Sequence, residues 1–195
     1  KNSEYLEIVK DLTLALNMLQ EQAEEAEKVA EEFVERLYTD KEQDAYDTIN
    51  TIVENSIANI DFIAEADSYH RCEAEYNAEV QFHDFTILNE YQTSVVQIGK
   101  DFIVAEVPVR IDIHASAEFG FYIYDSIDKD EIYMGGQSID DMETAIEAAL
   151  LIKLNVDFNQ STPTATLEDA ELIKVDSDIY FGDIEPHYEP DYDEY

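Results

Sequence analysis

At 195 residues, 45% of them apolar, the chain is long enough for one large domain or two small ones and apolar enough to bury a core, which excludes a wholly disordered polypeptide. Its 47 acidic side chains stand against 11 basic ones, a formal net charge of −36. That balance argues against direct binding of nucleic-acid backbone, which needs Lys and Arg to displace counterions, and equally against docking on anionic lipid.

The charge leaves open a basic protein partner, cation binding, mimicry of a polyanion, or a surface made acidic for solubility alone. Cys72 is the only cysteine, so no internal disulfide forms, and a reducing, cytoplasmic location is expected. No apolar run reaches the length of a membrane span, and no signal peptide is recognised. The chain opens on Lys1 rather than Met, from which a piece of a longer polypeptide is expected.

In chain order, residues 4–38 read as a long helix. Apolar residues recur at Ile8, Leu12, Ala15, Leu19, Ala23, Ala26, Ala30, Phe33 and Leu37, in steps of three and four, with Ser3 placed to cap the start. Thr39 with Glu42, and Asp40 with Gln43, form two overlapping capping-box patterns that predict a second helix to about Ala64, on the apolar positions Tyr46, Ile49, Val53, Ile57, Ile60 and Ile63. Two helices with a short join predict an antiparallel hairpin.

From Cys72 the period changes to two. Cys72, Ala74, Tyr76, Ala78, Val80 and Phe82 alternate with Glu73, Glu75, Asn77, Glu79 and Gln81, which predicts one strand with an acidic face. Thr93–Ile98 is a shorter strand. The longest alternation runs from Ile103 to Ile123: every odd residue is apolar, while Glu106, Arg110, Asp112, His114, Ser116 and Glu118 stand on the even positions. Pro108 lacks a ladder donor and predicts an edge or a bulge there, and a bend is expected around 115–120. Asp125–Asp130 reads as a hairpin loop, and Gly135-Gly136 as a bulge or a close backbone approach in the strand that follows. Residues 142–158 have helical composition around Glu143–Leu150. Yet Ile146, Ala148, Leu150, Ile152, Leu154, Val156 and Phe158 hold strict even parity, so strand is predicted. Leu167–Val175 and Ile179–Phe181 are expected to close the sheet.

Together these elements predict an α+β fold: an N-terminal antiparallel helical hairpin (1–66), then a mainly antiparallel, curled β-sheet of five to seven strands (67–182), which could close further into a sandwich or half-barrel. Residues 183–195 are rich in acid, Tyr and Pro and contain no Lys or Arg, so a disordered acidic tail is expected. Its alternative is an acidic-aromatic motif docking on a basic groove, through Asp183, Glu185, Tyr188, Glu189, Asp191 and Tyr192.

Motifs for chemistry are scarce. Phosphate-binding glycine loops, nucleophile elbows and zinc-ligand spacings do not occur, so no catalytic or cofactor-binding residue and no cofactor is assigned. His70, His83, His114 and His187 are scattered. Cys72 lies on the apolar parity of its strand, which predicts a buried, inert thiol. Asp125, Asp128, Asp130 and Glu131 could hold a hard cation, although the calcium-loop spacing is missing.

Glu106–Ile113, Phe121-Tyr122-Ile123-Tyr124-Asp125-Ser126 and Phe181-Gly182-Asp183-Ile184-Glu185, following a helical segment, resemble the region after the nuclease domain in some bacterial proteins of the PIN-domain superfamily. The likeness covers most of this chain and none of the catalytic domain, so it carries over no catalytic residue. It implies an accessory module of a nuclease-type toxin or defence protein. The expected function is therefore a non-catalytic interaction module, joined to an upstream domain or binding a basic protein surface and open to oligomerisation. The alternatives are an acidic mimic of nucleic acid that occupies a basic protein, and a divalent-cation-dependent hydrolase built from surface carboxylates.

Overall fold

The computed structural model describes residues 12–186 other than 40, 89–92, 159 and 161, and at Thr13 the backbone alone. The proposed cap Ser3, the Asp40 half of the capping pattern, His187 and the tail residues Tyr188, Glu189, Asp191 and Tyr192 lie outside the described residues. The fold is α+β. Two helices, α1 (Leu12–Tyr38) and α2 (Gln43–Ile57), precede eight strands: β1 (Ile63–Asp67), β2 (Arg71–Ala74), β3 (Glu79–Ile87), β4 (Ser94–Ile98), β5 (Phe102–Asp125), β6 (Asp130–Val156), β7 (Ala165–Ile173) and β8 (Asp178–Asp183).

Helix α1 buries Ala26, Val29, Ala30, Phe33, Val34 and Leu37, the stripe its spacing of three and four predicts. It ends where the Thr39 hydroxyl and amide both donate to the Glu35 carbonyl, at 2.8 and 3.0 Å. Thr39 therefore closes α1 rather than opening α2, and the Thr39–Glu42 capping box does not form. The Glu42 carbonyl instead accepts the first helical bond of α2, from Tyr46 N at 2.9 Å, while its carboxylate accepts from Arg36 Nε at 2.9 Å.

Helix α2 is shorter than its periodicity predicts. Asn59 donates through its side chain to the Asn55 carbonyl at 2.6 Å, occupying an acceptor at the helix end. Ile63, expected on the helix, instead donates its amide to Ser177 O at 2.8 Å and begins β1. Strand β1 pairs in parallel with β8, Ala64 opposite Ile179, as a separate two-stranded sheet. Residues 179–181 thus do not close the main sheet. This pairing joins segments more than 110 residues apart, which local periodicity cannot report.

The main sheet has six strands in the order β2-β5-β6-β7, with β3 and β4 also paired to β5. The β2–β5 and β4–β5 ladders are antiparallel. The order is open, running from β2 to β7 without return, so the sheet does not close as a barrel. The strand expected over residues 72–82 is two strands, because the chain leaves the ladder after Ala74 and Tyr76 stands 73% exposed.

Strand β5 is continuous through 115–120, without the expected break. Every odd residue from Ile103 to Phe121 is buried; Ile123 is exposed. Pro108 sits in this central strand rather than at an edge. Its carbonyl accepts from Leu88 N at 3.1 Å, just past the end of β3, and β4 begins its ladder at Ser94 opposite Glu106. In an antiparallel ladder a residue's N and C=O point the same way, so Pro108, which has no N–H, accepts from Leu88 just past the end of β3 without returning a bond.

Strand β6 follows a turn over 126–129, in which Lys129 has φ 57°. Its second half is strand, as the parity predicts, with Ile146, Ala148, Leu150, Ile152, Leu154 and Val156 buried. Its first half differs. Gly136, Ser138 and Asp140 are exposed, then Asp141, Glu143 and Glu147, so the exposed parity changes from even to odd at Asp141. Asp141 has φ 56°, in the left-handed region, where a G1-type bulge places its inserted residue. The expected irregularity at Gly135 is present too, with φ 129°.

The chain divides into two compact units, and β5 and β6 each pass from one to the other. One unit takes the described residues within Lys1–Ile49, Ile87–Pro108 and Leu150–Glu171; the other takes those within Asn50–Thr86, Val109–Ala149 and Leu172–Tyr195. In the first, α1 packs on β4, and Arg36 donates to Glu42 and to Ala165 O of β7, the latter at 2.9 Å. In the second, Phe119 meets Phe181 edge-to-face at 5.5 Å between ring centres. Among the described residues no polar or charged residue is fully buried. No described helix is long and apolar enough to cross a membrane.

Candidate functional site

The second unit carries a continuous wet face built from the even residues of β5 and their neighbours. Antiparallel pairing sets Glu73 opposite Gly120 and Arg71 opposite Tyr122, and Glu75 N donates to Glu118 O at 2.8 Å. Opposed residues share a face of the sheet, so Arg71, Glu73, Glu75, Glu118 and Tyr122 stand on the same side. Glu75, just past the end of β2, stands beside Glu118, and like charges so placed destabilise a sheet.

Two depressions mark this face. One, of about 290 Å³, is lined by Tyr76, Asn77, Glu79, Ser116, Ala117, Glu118, Ser138 and Asp140. The other, of about 560 Å³, is lined by His83, Arg110, Asp112, Ile113, His114, Glu143 and Thr144. In the second, His83 and His114 meet edge-to-face at 5.5 Å between ring centres. His114 Nδ1 lies 2.6 Å from Asp141 Oδ1, and the Asp141 amide donates to Ser116 Oγ at 3.1 Å. These two contacts tie the β6 bulge to β5 from both its side chain and its backbone.

At the other end, the Tyr122 and Tyr133 rings meet at 5.5 Å and lie over Gly120, where an added Cβ would come within 3.1 Å of the Tyr122 hydroxyl. Partial burial, then the charge of Glu75, push the Tyr133 phenol above its ordinary range. The cations of this face are already engaged: Arg71 with Glu73 and Glu131, Arg110 with Asp112 at 3.1 Å. Among the described residues, Glu79, Glu118 and Glu143 form no salt bridge.

Three of the residues singled out as cation ligands have other partners. Asp125 Oδ1 accepts from Ile127 N at 2.7 Å, Asp130 Oδ1 from Glu131 N at 2.9 Å, and Glu131 takes Arg71. Among the described residues no three His, Cys, Asp or Glu side chains gather to hold a metal. Cys72 lies opposite Phe121 on the apolar side, half-buried rather than buried. Burial, then Glu73, push its thiol up, which disfavours the nucleophilic thiolate. Asp183 ends β8, and Glu185 accepts from Tyr69 N at 3.1 Å.

The grouping of His83, His114 and Asp141 was not legible in the sequence. The even parity of His114 pointed to the wet face. Bringing Asp141 beside it required the bulge, and bringing His83 required the register of β3.

Comparison with known proteins finds no matching family model, no matching curated protein and no matching solved structure, so the chemistry of the face is read from its own residues.

Proposed function

We propose that this chain is a non-catalytic interaction module of a larger protein, and that the carboxylate-rich face of β2, β3, β5 and β6 receives a basic protein surface. One observation carries this reading: among the described residues, Glu79, Glu118 and Glu143 stand on one face without an internal cation, and Glu118 lies beside the like-charged Glu75. Such a face gains electrostatic energy when an external cationic surface covers it, and its field raises the rate of encounter. The resemblance to the region that follows PIN nuclease domains gives this module the form of an accessory part of a toxin or defence protein, assembling subunits or shielding a basic surface. The net charge of −36 favours a second reading on the same face, in which the module mimics nucleic acid and occupies a groove that binds it.

Calorimetry with a Lys/Arg-rich peptide over a salt series tests the charge recognition common to both. Binding that weakens steeply with salt, and that E79K/E118K loses while E21K/E25K on α1 retains, supports the reading. Salt-independent binding, or equal loss in both variants, sinks it. Competition by duplex DNA for a nucleic-acid-binding target distinguishes mimicry from simple assembly.

A further inference from the structure

His83 and His114 take no part in the recognition of a basic surface by carboxylates. His114 stands on the wet side of β5, and His83 on β3, which pairs with it. Their rings lie 5.5 Å apart between centres, at 81° to each other, and both line the larger depression. Asp141 anchors His114 from behind. A carboxylate oxygen only accepts, so in the 2.6 Å contact the proton sits on His114 Nδ1, which donates to Asp141 Oδ1. In the neutral ring this leaves Nε2 with a free lone pair. Imidazoles that ligate a metal are held in the same way: the other ring N–H is donated to a carboxylate, which fixes the tautomer and raises the basicity of the ligating nitrogen. The spacing of the rings suits a shared ion as well. A metal about 2.0–2.1 Å from one nitrogen of each ring, at roughly the tetrahedral angle, sets two imidazole centres about 5 Å apart.

We propose that His83 and His114 form a two-imidazole site for a divalent transition metal, with Asp141 positioning His114 and water filling the remaining coordination places. Among the described residues no third His, Cys, Asp or Glu gathers with the pair, so the site is open and binds reversibly, unlike a closed structural centre. Ligand chemistry selects the ion. Imidazole suits Cu²⁺, Ni²⁺ and Zn²⁺, with Cu²⁺ the tightest, whereas Mg²⁺ and Ca²⁺ take oxygen ligands. The surroundings accept a cation. Arg110, which also lines the depression, is held by Asp112 at 3.1 Å, and Glu143 and the net charge of −36 add negative potential. No spacing in the sequence announces this pair, because the two histidines meet only through the pairing of β3 with β5.

The site is independent of the basic-partner reading, since it is built from imidazoles, and its failure leaves binding of a Lys/Arg-rich peptide untouched. Calorimetry on the whole chain tests it, with Cu²⁺, Ni²⁺ and Zn²⁺ as titrants and excess Mg²⁺ present throughout to occupy the surface carboxylates. The expected result is one saturable site per chain, tightest for Cu²⁺, that H83Q and H114Q each weaken at least ~10-fold while H70Q retains it. D141N should weaken it about 10-fold with both imidazoles still bound, as loss of an orienting carboxylate does. Electron paramagnetic resonance of the Cu²⁺ complex needs no variant, and coupling to two imidazole nitrogens is expected there. Absence of saturable binding at ~1 mM metal, binding that Mg²⁺ abolishes, unchanged affinity in folded H83Q or H114Q, or a Cu²⁺ spectrum with fewer than two nitrogens would each overturn the proposal.

Discussion

Strand β5 and the first half of β6 belong to one sheet, yet they differ in kind. From Ile103 to Phe119 β5 alternates without a miss between buried and wetter positions. Residues 130–145 of β6 contain no buried residue and two positions of positive φ, Gly135 and Asp141. The regular strand supplies the core and an evenly spaced row of side chains. The irregular one places chemistry against that row, because a bulge can turn a carboxylate toward a neighbour that strict alternation would keep out of reach. Stability is therefore concentrated in β5 and in the second half of β6, and adaptability in the first half of β6.

The sharpest way to break this comparison is to cut matched residues from the two strands. Ile111, fully buried in β5, should lose about 2–5 kcal/mol on replacement by alanine, whereas Ile132→Ala, half-exposed in β6, should change stability by no more than ~0.5 kcal/mol. Urea denaturation of both variants checks it; equal losses would show that β6 carries core load there. Gly135→Ala should cost about 1–3 kcal/mol, because an L residue is strained at φ 129° although nothing crowds the added methyl.

A double-mutant cycle of Asp141→Asn with His114→Gln comes next. The pair is partly solvent-exposed, so the coupling should stay below ~1 kcal/mol and shrink with salt. A much larger coupling would mean that the bulge is held open by that contact rather than by the ladder around it.

The smallest effect is one of pH, in the parallel pair outside the main sheet. The Tyr180 hydroxyl donates to Asp67 Oδ2 at 3.0 Å, and this bond, with burial and the charges of Asp67 and Asp183, raises its phenol above the ordinary value. The folded form thus holds its proton longer than the unfolded chain. The contribution is complete below the unfolded value of about 10 and is lost as pH rises from there through the folded value. Stability measured from pH 8 upward should fall less steeply in Tyr180→Phe; an unchanged slope would remove Tyr180 as a source of the pH dependence.

Much of the scaffold was legible from period alone. The stripe of α1 from Ala26 to Leu37, the alternation of β5 and the even parity of 146–156 were all readable, the last against its helical composition. Each rests on burial of one face, and burial repeats at the period of the element. The failures share a cause as well. Thr39 and Glu42 fit a capping box, yet Thr39 bonds to Glu35 and Glu42 to Arg36, partners that the motif does not weigh. Ile63 fits the apolar side of α2, yet Ser177 takes its amide.

Local periodicity and charge thus specified the class of fold, the buried faces and an acidic surface, because these follow from where each side chain stands relative to its near neighbours. The parallel β1–β8 pair, the tolerance of Pro108 in a central strand and the meeting of His83, His114 and Asp141 followed from tertiary pairing alone. Each depends on the register between distant segments or on a single inserted residue at Asp141, and no local pattern encodes which backbone a strand will find beside it.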